Sequence, residues 1–261
     1  MMKPSKKSSV LKSTMEYAAS IGLFMIIWQI YVMIADVPKF VLPSPIEVMK
    51  SFINMFTSGM IFPHLGITTV EVVIGFVLGG LLGMILGYIF VKVDFIKSAF
   101  MPYLIFAQTA PKIALVPLFV VWFGIGMVSK LVLIISMVVF PVMAGMILGI
   151  ESMPKDAKNL MTVLGASRWQ LFSKMEMPYA LPALFSSFKI GIVQAVIGAI
   201  VAEWMSAKQG LGYILTYASS TYDTPMLMAG IIATILLGII TYEIVNVLDS
   251  KLLYWHESKN Q

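Results

Sequence analysis

Runs of apolar residues dominate this chain and leave it few folds to choose from. A helix needs about 20 mostly apolar residues to cross the hydrocarbon core of a bilayer. Stretches meeting that demand lie at 17–34, 68–91, 99–123, 128–150, 180–202 and 226–248. Composition agrees: 59% of the 261 residues are hydrophobic and 12% charged, where a soluble domain carries about 25% charged residues. The expectation is an all-α, polytopic membrane protein with about six transmembrane helices. The first run follows a basic start. No small-residue cleavage pattern comes after it, so it reads as an anchor rather than a removed signal.

Lysine and arginine set the expected orientation. With the N-terminus in the cytosol, the inner segments carry Lys3, Lys6, Lys7 and Lys12, then Lys92 and Lys97, then Lys155, Lys158, Arg168 and Lys174, then Lys251 and Lys259. The outer segments carry only Lys39, Lys50, Lys130 and Lys208, while Lys112 and Lys189 fall inside spans. That imbalance is the positive-inside bias. It predicts a multi-pass protein with both termini cytosolic. The implied organisation is a tail over 1–16, a first helix and outer linker over 17–60, a transmembrane domain over 61–248 containing a cytosolic loop at 151–178, and a tail over 249–261. The net charge of +5 is then topological, and no nucleic-acid partner is expected. There is no cysteine, and His64 and His256 stand far apart. Disulfides, thiol catalysis and a metal site are therefore not expected.

Inside the spans, glycine and proline are the informative residues. Gly75, Gly79, Gly83 and Gly87 recur every four residues, a small-residue stripe that lets another helix approach closely. Pro102, Pro111 and Pro117 interrupt the third span, and each removes a helical hydrogen bond. Broken backbone at membrane depth must line protein or a watery cavity. Gln108 and Lys112 sit at this break, so both are candidates for a translocation pathway. Lys112 would favour an anion there, or would snorkel or hold a freed carbonyl. Lys189 is expected to snorkel. Gln194 fits a helix–helix hydrogen bond or a pathway position. Glu203 is a candidate mouth residue, beside an outer segment whose Trp204, Tyr213, Tyr217 and Tyr222 suit an interfacial belt. Glu71 and Glu243 fall near span ends. No carboxylate is centred in a span, which argues against a stand-alone secondary transporter or channel. No Ser/His/Asp or His/Glu cluster supports a membrane enzyme.

The stretch "LGASRWQLFSKMEMPYALPAL", 164–184, breaks the apolar pattern. Before it, Ala157, Leu160, Met161 and Leu164 share one helical face. Pro154 suits the start of that helix and Gly165 its C-terminal cap. Ser167 with Gln170 has capping-box spacing, and Trp169, Phe172 and Met175 give the second helix its apolar side. Pro178 is expected to end it. The product is a helix–turn–helix elbow under the bilayer. It could lie on anionic lipid or fit a groove on a cytosolic partner.

This elbow resembles the cytosolic Glu-Ala-Ala loop of ABC importer permeases, whose pattern is Glu-Ala-Ala, three residues, Gly, nine residues, Ile-x-Leu-Pro. Here the glycine is Gly165 and the closing motif is Met175-Glu176-Met177-Pro178. The Glu-Ala-Ala positions fall on Asn159, Leu160 and Met161 and depart from the pattern. "LPSPIEV", "HLGITTVEVVIGFVLGGLLGMILG", "PKIALVPLFVVWFGIG" and "VAEWMSAKQGLGYIL" are similar to permeases of the nitrate, sulfonate and taurine subfamily, with a lean toward those for thiamine-precursor pyrimidines or riboflavin. The resemblance implies the type I importer permease fold in a bacterial inner membrane. Its partners would be a second copy, a cytosolic ABC ATPase dimer and an extracytoplasmic solute-binding protein. Asn159, Leu160, Met161, Gly165, Ala166, Ser167, Arg168, Trp169 and Pro178 would form the ATPase-coupling loop. This chain has no Gly-x-x-x-x-Gly-Lys-Ser/Thr loop, so no catalytic residue or cofactor is expected on it. ATP and Mg would belong to the partner ATPase.

Overall fold

A computed structural model describes residues 6–206 and 208–253. Lys3, His256 and Lys259, and with them the expected tails over 1–5 and 254–261, lie outside the described residues. All regular elements among the described residues are helical. They are α1 (Lys6–Ile34), α2 (Pro45–Thr57), α3 (Ile61–Lys92), α4 (Asp94–Thr109), a 3-10 turn (Lys112–Leu115), α5 (Val116–Phe123), α6 (Met127–Glu151), α7 (Lys155–Val163), α8 (Arg168–Leu171), a π-turn (Phe172–Glu176), α9 (Met177–Ser206), α10 (Leu211–Ser220) and α11 (Thr224–Leu252).

Among the described residues, α3, α6, the continuous helix Arg168–Met205 and α11 are each long and apolar enough to cross a membrane. The expected third span is instead two helices, α4 and the piece from Lys112 to Phe123, meeting at 86°. Counting that pair as one span gives five. The expected first span is present as the apolar part of α1, Ala19–Ile34, but it is shorter than the others. The prolines act unequally. Pro102 sits within α4 and Pro117 in the first turn of α5, so the break falls at Pro111.

The chain forms two compact units. One comprises α1, α2, α10 from Ile214 and α11 through Ala233; the other runs from Phe62 to Tyr213 and resumes at Thr234. In the first, Ser44 caps α2. The Glu47 amide donates to the Ser44 hydroxyl at 3.3 Å, and Glu47 accepts from the Ser44 amide at 3.0 Å, a complete capping box. Lys39 lies 2.6 Å from Glu47 and holds that carboxyl below its ordinary range. Thr224 ties the start of α11 to the loop before α2 by donating to the Phe40 carbonyl at 2.7 Å.

The second unit is organised around α6. Ile134, Val138, Val142, Met146 and Ile150 form a fully buried row along it. The glycine stripe of α3 lies on that row in step: a Cβ added at Gly75 would meet Ile134, at Gly79 Val138, at Gly83 Val142, and at Gly87 Met146. The pairs advance together, so α3 and α6 run parallel. The next rung is Glu71 with Lys130, a buried ion pair. On its other side α6 meets α9 in the opposite sense. Gly149 lies against Ala180, Gly145 against Ser187, and Gly198 against Met137 and Ile134.

One lysine therefore stands elsewhere than expected. Lys130 is not in an outer segment but buried in the first turn of α6, drawn in by Glu71. Lys189 is bound by Asp249, near the end of α11, at 2.7 Å. Glu71 lies inside α3, which starts at Ile61, level with the first turn of α6.

The ladder predicts its own weak points. At Gly83 a Cβ would stand 2.7 Å from the Val139 carbonyl and 3.1 Å from the Met143 amide. Backbone cannot yield as a side chain can. Gly83→Val should destabilise the detergent-solubilised chain by about 1–3 kcal/mol, whereas Gly238→Ala, with nothing within 4 Å of its added carbon, should not; thermal unfolding reads the difference. Lys130→Met strands a buried carboxylate and should cost about 3–5 kcal/mol. Adding Glu71→Gln to it should recover most of that loss, and unfolding of the single and double variants measures the coupling.

Candidate functional site

The elbow between α6 and α9 is built by two local devices. At the first, α7 ends in a complete Schellman motif. The Gly165 amide donates to the Thr162 carbonyl at 3.1 Å and the Ala166 amide to the Met161 carbonyl at 3.0 Å, with Gly165 at φ +70°. At the second, α8 opens on a capping box. The Ser167 amide donates to Gln170 at 2.8 Å, and the Gln170 amide to the Ser167 hydroxyl at 3.2 Å. These fix the turn the sequence pattern predicts.

Beyond it the structure departs from expectation. Pro178 does not end the second helix. Arg168–Met205 is continuous through the π-turn. There the Met177 amide reaches back five residues to the Phe172 carbonyl. The widened turn falls just before Pro178, whose ring would crowd the preceding turn of a regular α-helix. The elbow is thereby rigidly joined to a membrane-spanning helix.

A buried anchor holds that junction. Glu176 is 1% exposed, paired with Lys92 at the end of α3, and accepts from the Tyr88 hydroxyl at 3.3 Å. Phe172 packs edge-on against Tyr88, with ring centroids 5.0 Å apart. The sequence reading missed this group. Its only local signal was an acidic residue at the variable position of the Met175–Pro178 motif. Nothing local points to Lys92.

The outer faces of the elbow have no cover from this chain. Asn159, Leu160, Gly165, Ser167, Arg168 and Trp169 are exposed, and Met161, Ala166 and Pro178 half-buried. Val163, Leu164 and Trp169 are 84%, 71% and 71% exposed, so an apolar surface is displayed at the turn.

The other named residues do not gather at one place. Gln108 is exposed near the end of α4. Lys112, half-buried at the break, has its ammonium 4.5 Å from the Phe140 ring centre, a cation–π contact within the chain. Gln194 lines a cavity between α9 and α11. Glu203 is 1% exposed near the far end of α9. It accepts from the Thr68 hydroxyl and from the Gly212 amide, each at 2.7 Å. Thr68 also accepts from the Leu211 amide at 2.9 Å, and the Gly210 amide donates to His64 at 3.1 Å. His64 is stacked on Tyr213, 5.7 Å between centroids. This network clamps the loop before α10 onto α3. Among the described residues no group of His, Cys, Asp and Glu could hold a metal ion.

The chain that carries this elbow and bundle of spans is similar in sequence to known permeases. Residues 79–254 match the family model described as "binding-protein-dependent transport system inner membrane component". The formylaminopyrimidine transport permease protein of Halalkalibacterium halodurans is 33% identical, over 91% of this chain and 94% of its own length. The riboflavin transport system permease protein of Chloroflexus aurantiacus is 31% identical, over 90% and 88%. The taurine transport system permease protein of Escherichia coli is 24% identical, over 91% and 88%. The chain belongs to the binding-protein-dependent transport system inner membrane components, the non-catalytic permease subunits of ABC transport systems.

Proposed function

We propose that two copies of this chain form the translocation pathway of an importer. In this reading α7 and the Gly165 turn dock into a cytosolic ATPase dimer, which carries ATP and Mg, and a solute-binding protein delivers cargo to the opposite face. The same reading, from the positive-inside bias, has both termini cytosolic. The solute is a small polar molecule of the kind two of the relatives' names give, a formylaminopyrimidine or riboflavin.

One observation carries the docking role. The apolar turn at Leu160, Val163, Leu164 and Trp169 is exposed, yet it is joined through the doubly capped Gly165–Ser167 turn to the continuous helix Arg168–Met205, whose start is pinned by the buried Lys92–Glu176 pair. An exposed apolar surface rimmed by charge marks an interaction site. Its rigid attachment is what a lever requires. Movement of the ATPase then tilts α9 against α6 and shifts the bundle between two arrangements, and loaded binding protein biases the same equilibrium.

Gly165→Pro tests the docking role, because proline holds φ near −65° where this turn needs +70°. Wild-type chain pulled from its native membrane should bring an ATPase with it. The variant, at equal thermal stability, should bring at least about ten-fold less, a loss of 1.4 kcal/mol or more. Equal recovery would remove the elbow as the docking site. No ATPase with either form would remove the ATP-driven reading.

A further inference from the structure

Between α9 and α11 is a groove of about 550 Å³ lined by Ser186, Lys189, Ile190, Val193, Gln194 and Tyr242. Both helices are long and apolar enough to span the membrane, so these polar groups stand at bilayer depth. Polar side chains there are costly unless they face protein or water. Lys189 is bound by Asp249 at 2.7 Å. Ser186 donates to the Pro182 carbonyl at 3.0 Å. The Gln194 carboxamide and the Tyr242 hydroxyl have no hydrogen-bond partner among the described residues. A carboxamide offers two donors and an acceptor, a phenol one of each, and an ammonium three donors, of which Asp249 takes one.

We infer that this groove is a solute-binding site for an uncharged planar heteroaromatic ring. The inference rests on the importer reading above and deepens it. The charge argument is local. Lys189 arrives already neutralised by Asp249, so a sulfonate or other anion entering the groove finds no uncompensated cation. A neutral ring with adjacent donor and acceptor edges matches the carboxamide of Gln194. Ile190 and Val193 give such a ring an apolar wall, and Tyr242 presents an aromatic face with a polar tip. Lys112, the sequence's candidate for attracting an anion, is engaged by Phe140 and lies outside the groove's lining.

The absence of cysteine makes the test direct. Gln194→Cys and, as a second position, Ser186→Cys are made in the full chain, held in membranes with its ATPase. Ile240→Cys, on an exposed apolar stretch of α11, is the reference. A membrane-impermeant, water-soluble methanethiosulfonate is applied, since thiolate reacts where water reaches. Both groove variants should react at least about ten-fold faster than the reference. Formylaminopyrimidine or riboflavin at several times its dissociation constant should slow them about five-fold, and taurine should not. Reaction no faster than at Ile240→Cys means the groove is dry and overturns the site. Protection by taurine alone, or by none of the three, overturns the ligand class. Absence of an ATPase from the wild-type membranes overturns the underlying importer reading instead, so the two failures are distinct.

Discussion

The close approach of α3 to α6 is the contact on which the rest of this structure depends. In a bilayer, lipid tails solvate apolar side chains as well as another helix does, so burial alone does not hold helices together. What holds here is backbone proximity along four glycines, each set on a side chain of α6 that repeats at the same interval. The ladder fixes α3 and α6 in parallel register. That register brings Glu71 opposite Lys130 at one end. At the other it leaves Tyr88 and Lys92 where Glu176 can reach them. The glycines come first in this logic. A buried ion pair is weak as a source of stability but strong as a constraint on register, because a slip would strand a desolvated charge.

Much of this was legible in the sequence. The six apolar runs each became a helix or a bent pair with ends moved by some residues, since length and hydropathy act locally. The glycine stripe announced a close helix contact, though not the partner. The elbow was legible in more detail: Gly165 as a C-terminal cap and Ser167 with Gln170 as a capping box are satisfied by neighbours within a few residues. Pro178 shows the limit of such local reasoning. The helix passes through Pro178 by way of a π-turn just before it, a local change of pitch that residue-by-residue reading does not foresee. The ion pairs were not legible at all. Glu71 with Lys130, Lys92 with Glu176 and Lys189 with Asp249 join helices remote in sequence, and each partner looked like an end charge by itself.

The polar groups divide into two kinds, and the division bears on function. At the ends of the bundle they are paired within the chain, apart from the second carboxylate oxygen of Glu71. Glu203 accepts from Thr68 and Gly212, Glu176 is held by Lys92 and Tyr88, and Glu71 by Lys130. Groups so bound in a low-dielectric setting resist rearrangement, because moving one leaves another unpaired. Two places are open to another molecule, the apolar turn at Leu160–Trp169 and the carboxamide and phenol facing the groove beside α9. Trp169 of the turn and Gln194 of the groove both lie on the single continuous helix that begins at Arg168. A protein that passes force from one partner to a solute needs this arrangement: rigid ends that keep the helices in register, and open valences only where another molecule must bind. On this view α9 is the element that couples the two, since a displacement at its elbow end is carried by the same hydrogen-bonded rod past Gln194.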